Sequence, residues 1–226
     1  LSGTTTTTTV EFSKSFQVDE VVIIDGNFSE KEDLRVIKGL DRIRKCAGTE
    51  WKAKVVTKNT FPKGAGSAAS ASGFAALTLA GFAALGVSFP EKELTIIARQ
   101  SSGSACRSIP DGFVIWQEGN ASDESFAYSL FPSSHWDLRD ILVIVDSSMK
   151  KVSTTDGMEG AQTSPFLSNR LRMIPKRLED TKNALKDKNI KLLGEVMEKD
   201  CLDMHHVMQT QAPPLLYWNE TTKMIM

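Results

Sequence analysis

The spacing of hydrophobic positions changes several times along this chain, and each change predicts an element. Thr4 to Phe12 is β-branched and passes into the alternating Val10-Glu11-Phe12, which predicts an edge or central strand. Glu20-Val21-Val22-Ile23-Ile24-Asp25-Gly26 predicts a second strand ending in an Asp-Gly turn. From Ser29 to Lys45 the period becomes helical. Leu34, Ile37, Leu40 and Ile43 supply the apolar stripe, and Ser29 with Glu32 forms a capping box. Trp51 to Thr57 alternates again as a third strand. Gly73 to Val87 is a small-residue helix, apolar enough to be buried, and Pro90 to Arg99 predicts another helix. Gly112 to Gln117 predicts a strand, and Asn120 to Asp137 a polar, irregular connector. Ile141 to Asp146 is a continuous apolar run, the pattern of a central strand buried on both faces. Two long helical patterns follow, Ser164 to Lys186 and Ile190 to Gln209, separated at Asp187-Lys188-Asn189. Pro175 predicts a kink in the first, and Ala212-Pro213-Pro214-Leu215 ends the second.

Strands and helices mix without regular βαβ alternation, so the expected fold is α+β in two lobes, residues 1–137 and 138–226. A formal net charge of −1 argues against a nucleic-acid or anionic-membrane partner, so any phosphate site must be local. The longest apolar region is shorter than a membrane span. Cys46, Cys106 and Cys201 lie far apart with no CxxC pair, which argues against zinc and a disulfide framework. Reduced thiols and a cytoplasmic location are expected. The chain opens Leu1-Ser2-Gly3 and closes inside a helical pattern, Thr221 to Met226, so a piece of a longer protein is expected.

Two bends carry the candidate chemistry. The first, Phe61-Pro62-Lys63-Gly64-Ala65-Gly66-Ser67-Ala68-Ala69-Ser70-Ala71-Ser72, is stripped of bulky side chains and leads into a helix. Free amides and the helix dipole at such a start favour a phosphate. It is neither a Walker loop nor a dinucleotide fingerprint, because the lysine and glycine spacings are wrong. The second, Ser102-Gly103-Ser104-Ala105-Cys106-Arg107-Ser108, sets one arginine among tiny residues, where a guanidinium can clamp an anion bidentately. Lys150 to Met158 reads as a solvated loop that could line a site. Thr163-Ser164 before Pro165 reads as a helix N-cap whose hydroxyl can also meet a ligand. Asp200, His205 and His206 fit no metal motif and read as packing and hydrogen bonding between helices.

The first bend resembles the phosphate loop of GHMP-type small-molecule kinases and, more closely, that of the diphosphomevalonate decarboxylase family. The resemblance continues in order through Ser102–Ser108, Gly112-Phe-Val-Ile-Trp-Gln117, Ser134-His-Trp136, Gly157-Met158, Thr163-Ser-Pro165, Lys199-Asp200 with His205, and Pro213-Pro214. It implies a two-lobed GHMP-kinase-type fold, ATP and Mg²⁺ as cofactors, a phosphorylated mevalonate as substrate, decarboxylation to isopentenyl diphosphate, and a homodimer. Under it, Arg107 holds the substrate carboxylate. Ser102, Gly103, Ser104, Ala105 and Cys106 shape the substrate pocket, and Thr163 and Ser164 touch the substrate. Gly64, Ala65, Gly66, Ser67, Ala68, Ala69, Ser70 and Ser72 cradle the ATP phosphates, with Ser70 also catalytic and at the metal. The chain departs from the family at Lys63, at Ala69 in the loop's serine pair, at Cys201-Leu202, and at Val21, where a diphosphate-binding arginine is usual. The family's Lys-Tyr-Trp-Gly and Asp-Ala-Gly-Pro-Asn motifs, with the catalytic lysine and aspartate, do not occur in these residues. The expectation is therefore that this polypeptide alone does not turn over. The alternatives are a 5-phosphomevalonate decarboxylase, a mevalonate-type kinase, or a non-catalytic ligand-binding fragment.

Overall fold

The computed structural model describes residues 4–24, 30–61, 69–141, 143–145, 152 and 154–226. The chain divides into two compact units, the first spanning Leu1–Leu142 and the second chiefly Lys150–Met226. Asp25, Gly26 and Ser29, on which the turn and the capping box rest, lie outside the described residues, as do Lys150, Lys151 and Ser153.

In the first unit, β1 (Thr6–Ser13) runs antiparallel to β3 (Lys52–Asn59), and β3 pairs in parallel with β2 (Glu20–Ile23). The sheet order is β1-β3-β2, so β1 is an edge strand. Alternation along β3 turns Ala53 and Val55 inward, where they meet Val10. Three helices complete the core: α1 (Glu30–Ala47), α2 (Ala69–Ala84) and α3 (Glu91–Ser101). They contribute Leu40 and Ile43, then Phe74, Leu77 and Phe82, then Ile97 and Ala98. The buried stripe of α1 differs from the expected one. Leu34 is exposed, and Gly39, Leu40, Ile43 and Arg44 are buried. The shift has a steric cause. A β-carbon on Gly39 would lie 3.0 Å from Leu77 Cδ2, and one on Gly81 would lie 2.7 Å from Ile43 Cδ1. The α1–α2 seam is thus close at both glycines, where a β-carbon would make the tip of Leu77 or Ile43 move.

Arg44 is a buried charged residue of α1. It donates to both carboxylate oxygens of Asp19 at 2.9 and 3.0 Å, and it also reaches Asp41. Asp19 in turn accepts from the Ala53 amide at 2.8 Å, tying β3 to the segment before β2. Burial by itself weakens a guanidinium's hold on its proton, but the two carboxylates outweigh it and raise the Arg44 pKa above its ordinary value.

The expected irregular connector contains β5 (Ala127–Phe131), which pairs antiparallel with β4 (Phe113–Trp116). Thr95, fully buried on α3, donates to the Lys92 carbonyl and accepts from the Ala127 amide at 3.1 Å, which pins β5 to that helix. The expected central strand at Ile141 to Asp146 is corrected. Residues 141 and 143–145 form no strand, and Ile141 is 86% and Val143 59% exposed. A strand buried on both faces needs neighbours on both edges, and no described residue pairs with this run.

Among its described residues the second unit is helical: α4 (Thr154–Gly160), α5 (Leu167–Lys186), α6 (Ile190–Thr210) and α7 (Glu220–Ile225). The helix predicted from Ser164 begins later, because Ser164 accepts from the Phe166 amide at 3.2 Å and turns the chain before α5 starts. α5 runs through Pro175. The α5–α6 connection closes in a few residues, with Lys188 in the left-handed region (φ 52°) and Asn189 Oδ1 capping the Leu192 amide at 3.0 Å. Two arginines and two aspartates cross this hairpin. Arg170 grips Asp200 at 2.9 and 3.0 Å, and Arg177 donates to Asp203 at 2.7 Å and Asp200 at 3.0 Å. Partial burial alone would raise the Asp200 pKa. The hydrogen bonds from Arg170 and Arg177 outweigh it and hold the carboxyl below its ordinary value.

Two stability measurements follow. Asp19→Ala takes from the buried Arg44 its bidentate partner, leaving Asp41 and the Trp51 carbonyl, and frees the Ala53 amide, so urea unfolding should show a loss of about 2 kcal/mol. Asp200 has a depressed folded pKa, so its stabilisation is fully present above about pH 4 and is lost as the pH falls through the lower folded value. Asp200→Asn should therefore destabilise the chain by about 1 kcal/mol at neutral pH and flatten the acid limb of a melting-temperature profile.

Candidate functional site

Beside the N-terminus of α2 the sheet and α1 leave a cavity of about 600 Å³, counted with its open mouth. Its floor is apolar, from Val36, Val55, Phe74 and Leu77. Thr8, Thr57, Asn59, Glu32, Arg35 and Ser70 provide polar groups around it. The strand period explains the polar side: Val55, Thr57 and Asn59 share one face of β3, so the face that buries Val55 in the core presents hydroxyl and amide groups farther along. The space is an open groove, apolar at its base with a few polar groups at its edge.

Ser70 lies in the first turn of α2 and is exposed. That turn contains no acidic residue, whereas α1 opens with Glu30, Glu32 and Asp33 and α3 with Glu91 and Glu93. The positive end of α2 is thus left without a carboxylate of its own, which favours an external anion. Ser72, expected at the phosphates, is turned to β1. Its hydroxyl lies 2.7 Å from that of Thr6, which donates to Asn59 Oδ1 at 2.6 Å. Gly64, Ala65, Gly66, Ser67 and Ala68 lie outside the described residues.

The second bend is a 3₁₀ turn, Gly103–Ser108, that follows α3 directly and packs on α2. Ser102, half-buried, ends α3, and its carbonyl accepts from the Ala105 amide at 2.8 Å. Ala105 joins the core cluster of Phe74 and Leu77, and Cys106 is buried beside it, its thiol donating to the Gly103 carbonyl at 3.1 Å. Burial pushes the Cys106 thiol pKa up, which keeps it neutral. These two residues therefore shape the bend from behind. Gly103 and Arg107 face solvent, and Ser104 is half-buried.

Arg107 is electrostatically unlike the other arginines. Eight of the nine in the chain donate hydrogen bonds: Arg35, Arg42, Arg44, Arg99, Arg139, Arg170, Arg172 and Arg177. Among the described residues Arg107 has neither a hydrogen bond nor a carboxylate partner. Its guanidinium carbon sits 5.6 Å from the centre of the Trp116 ring.

Sequence reasoning missed Arg35. It lines the cavity with Ser70, crosses the Phe74 ring at 4.9 Å, and donates to the Ser101 carbonyl at 3.2 Å, next to the second bend. Its position one turn before the buried Gly39 was the available signal, but only the corrected stripe reveals it.

Thr163 and Ser164 belong to the second unit, and both hydroxyls are engaged there. Thr163 donates to the Gly160 carbonyl and accepts from the Ala212 amide, each at 2.7 Å. Ser164, 7% exposed, lies 2.8 Å from the Thr210 hydroxyl. Asp200 belongs to the ion network of α5 and α6. His206 packs on Phe166 at 4.3 Å, and His205 on Trp218 at 4.2 Å. Among the described residues no cluster of histidine, cysteine or carboxylate side chains could hold a metal ion, and no helix is long and apolar enough to cross a membrane.

Residues 1–127 match the diphosphomevalonate decarboxylase-like N-terminal domain, and residues 141–226 match the mevalonate 5-diphosphate decarboxylase C-terminal domain. A diphosphomevalonate decarboxylase of Candida albicans is 34% identical over 97% of the chain, which spans 65% of that protein's length. Two solved structures share the fold. The crystal structure of mevalonate diphosphate decarboxylase from Staphylococcus aureus superposes with a TM-score of 0.88 at 33% identity, covering 96% of this chain and 66% of that one. A complex of MDDEF with MVAPP, AMPPCP and magnesium superposes with a TM-score of 0.87 at 35% identity, covering 98% and 68%. The α+β architecture, the two domain matches and these likenesses agree: the chain belongs to the diphosphomevalonate decarboxylase family.

Proposed function

We propose that this protein acts in the ATP-dependent decarboxylation of 5-diphosphomevalonate to isopentenyl diphosphate, releasing ADP, phosphate and carbon dioxide, in the mevalonate pathway. The observation that carries the reading is Arg107: a solvent-facing guanidinium, free of hydrogen bonds among the described residues, on a bend that packs against the helix carrying Ser70. The MDDEF complex with MVAPP, AMPPCP and magnesium supports it from the side of the ligands.

ATP, when bound, supplies the phosphoryl group that turns a tertiary hydroxyl into a leaving group. The residues present fit such a donor. Thr8, Thr57 and Asn59 beside α2 would offer polar contacts to the nucleoside. The first-turn amides and Ser70 would hold the phosphates, and the Ser70 hydroxyl would ligate Mg²⁺. Arg107 binds the substrate carboxylate bidentately and fixes the bond to be broken. The small residues Ser102, Gly103 and Ser104 let the substrate approach the backbone. A developing cationic carbon next to a fixed carboxylate is the arrangement that lets carbon dioxide depart with its electron pair left in the new double bond. Thr163 and Ser164 then act by holding their turn against α6. Residues 1–137 form the nucleotide-binding lobe and 138–226 the second lobe of a cytoplasmic homodimer.

Val21 favours one variation. It is partly buried against the core, at the place where the family resemblance puts a diphosphate-holding arginine. A 5-monophosphate substrate loses nothing by that exchange.

Calorimetry on the purified chain tests the reading. It should bind 5-diphosphomevalonate or 5-phosphomevalonate, and separately Mg²⁺ with AMPPCP. Arg107→Ala should weaken the mevalonate ligand about 30-fold, the worth of a charge-assisted bidentate contact, and leave AMPPCP within about two-fold. Equal affinity for the mevalonate ligand in both proteins removes Arg107 from the site.

A further inference from the structure

We propose that Trp116 is a positioning residue for Arg107: the indole face holds the guanidinium in place while leaving all its donors free for a carboxylate. The inference rests on the reading of Arg107 given above.

An exposed arginine with no partner samples many rotamers, and a clamp that wanders binds weakly. A hydrogen bond from a neighbour would hold it still but would use a donor. A ring avoids the conflict. The attraction acts through the ring's quadrupole, while the five N–H groups remain available at the guanidinium edge. At 5.6 Å from the ring centre, Arg107 lies within the range of that attraction.

Trp116 is itself held from three sides. It ends β4, and its Nε1 donates to the Ser125 hydroxyl at 2.9 Å. The Ser125 carbonyl accepts from Arg99 Nε at 2.9 Å, and a terminal nitrogen of Arg99 also binds the Ser122 carbonyl at 3.0 Å and hydroxyl at 2.8 Å. Arg99 belongs to α3, so one rigid helix fixes the loop that fixes the indole. On the far side, a β-carbon at Gly103 would lie 3.2 Å from Trp116 Cη2. Glycine at 103 therefore has a reason independent of ligand approach: a side chain there would tilt the platform. Trp116 remains 38% exposed, so its neighbour Arg107 can sit on it and still face solvent.

The test uses three variants on the complete chain with calorimetry against 5-diphosphomevalonate and against Mg²⁺–AMPPCP. Trp116→Leu keeps apolar cover over Gly103 but has no π face, and Trp116→Phe keeps the face with less volume. Trp116→Leu should weaken 5-diphosphomevalonate about five-fold, with Trp116→Phe within about two-fold of the parent and AMPPCP unchanged in both. In an Arg107→Ala background the leucine substitution should have no further effect, since the two residues act through one contact. Three results overturn the proposal: loss in Arg107→Ala with none in Trp116→Leu, a leucine effect that persists without Arg107, or an equal loss for AMPPCP. A parent chain that binds no mevalonate ligand overturns the functional reading itself, and this inference with it.

Discussion

The first unit depends on how closely α1 and α2 approach each other. Gly81 faces Ile43 and Gly39 faces Leu77 so closely that a β-carbon at either place would displace the tip of the opposing side chain. The residues that α2 buries, from Ala71 and Phe74 to Gly81 and Phe82, share one broad face set against the sheet and α1, while Leu79 and Ala83 on the other face are exposed. The first turn of α2 is therefore held in a fixed place against the sheet. The cavity bounded by Val36, Val55 and Phe74 exists at that place, and so does the 3₁₀ turn, which rests Ala105 on Phe74 and Leu77. A wider seam would loosen the floor of the cavity and the support of Arg107 together. Two features that look separate along the chain thus share one mechanical cause.

Charge in this protein is otherwise used internally. Arg44 closes on Asp19 inside the core, and Arg170 and Arg177 close on Asp200 and Asp203 across the α5–α6 hairpin. Arg35 and Arg42 reach the C-terminal residue of α3, where carbonyl groups favour a cation. Arg99 binds a loop. Each of these removes a positive charge from the supply available to a ligand. Among the arginines of the described part of the first unit only Arg107 remains without a hydrogen bond, and the N-terminus of α2 has no acids of its own. That division matches a ligand pair in which one partner has a carboxylate and the other a phosphate chain, because a bidentate fork and a cradle of amides select for those shapes.

The second bend was legible in the sequence because its message is compositional, a run of serine, glycine and alanine ahead of one arginine, while most of the first lies outside the described residues. The α1 stripe was read correctly at Leu40 and Ile43 but not at Leu34, which is exposed, because apolarity alone does not count Gly39 as a packing residue. Close helix contact does. β5 was hidden because Tyr128 and Ser129 point outward and five residues give too short a period to distinguish from a loop. Ile141 to Asp146 misled for the opposite reason. A hydrophobic run states that burial is wanted, but only neighbouring strands can provide it, and they are not part of the local signal. The solitude of Arg107 could be guessed from its small neighbours. Its proof required placing the partners of the eight other arginines, and Trp116 could be recognised as its platform only once the 3₁₀ turn was seen against the end of β4.

These contrasts bear on how the family's chemistry tolerates change in this chain. At Val21 a side chain that packs on the core stands where the resemblance expects a cation. Arg107 keeps its donors, and the Arg99–Ser125–Trp116 series runs from α3 to its indole neighbour. Binding energy from a remote group lowers the barrier only when it is used to orient the reacting centre. Under the proposed function, orientation of a carboxylate would therefore fall more heavily on Arg107 than in a chain with a second cation, and its hold on the indole would matter correspondingly more.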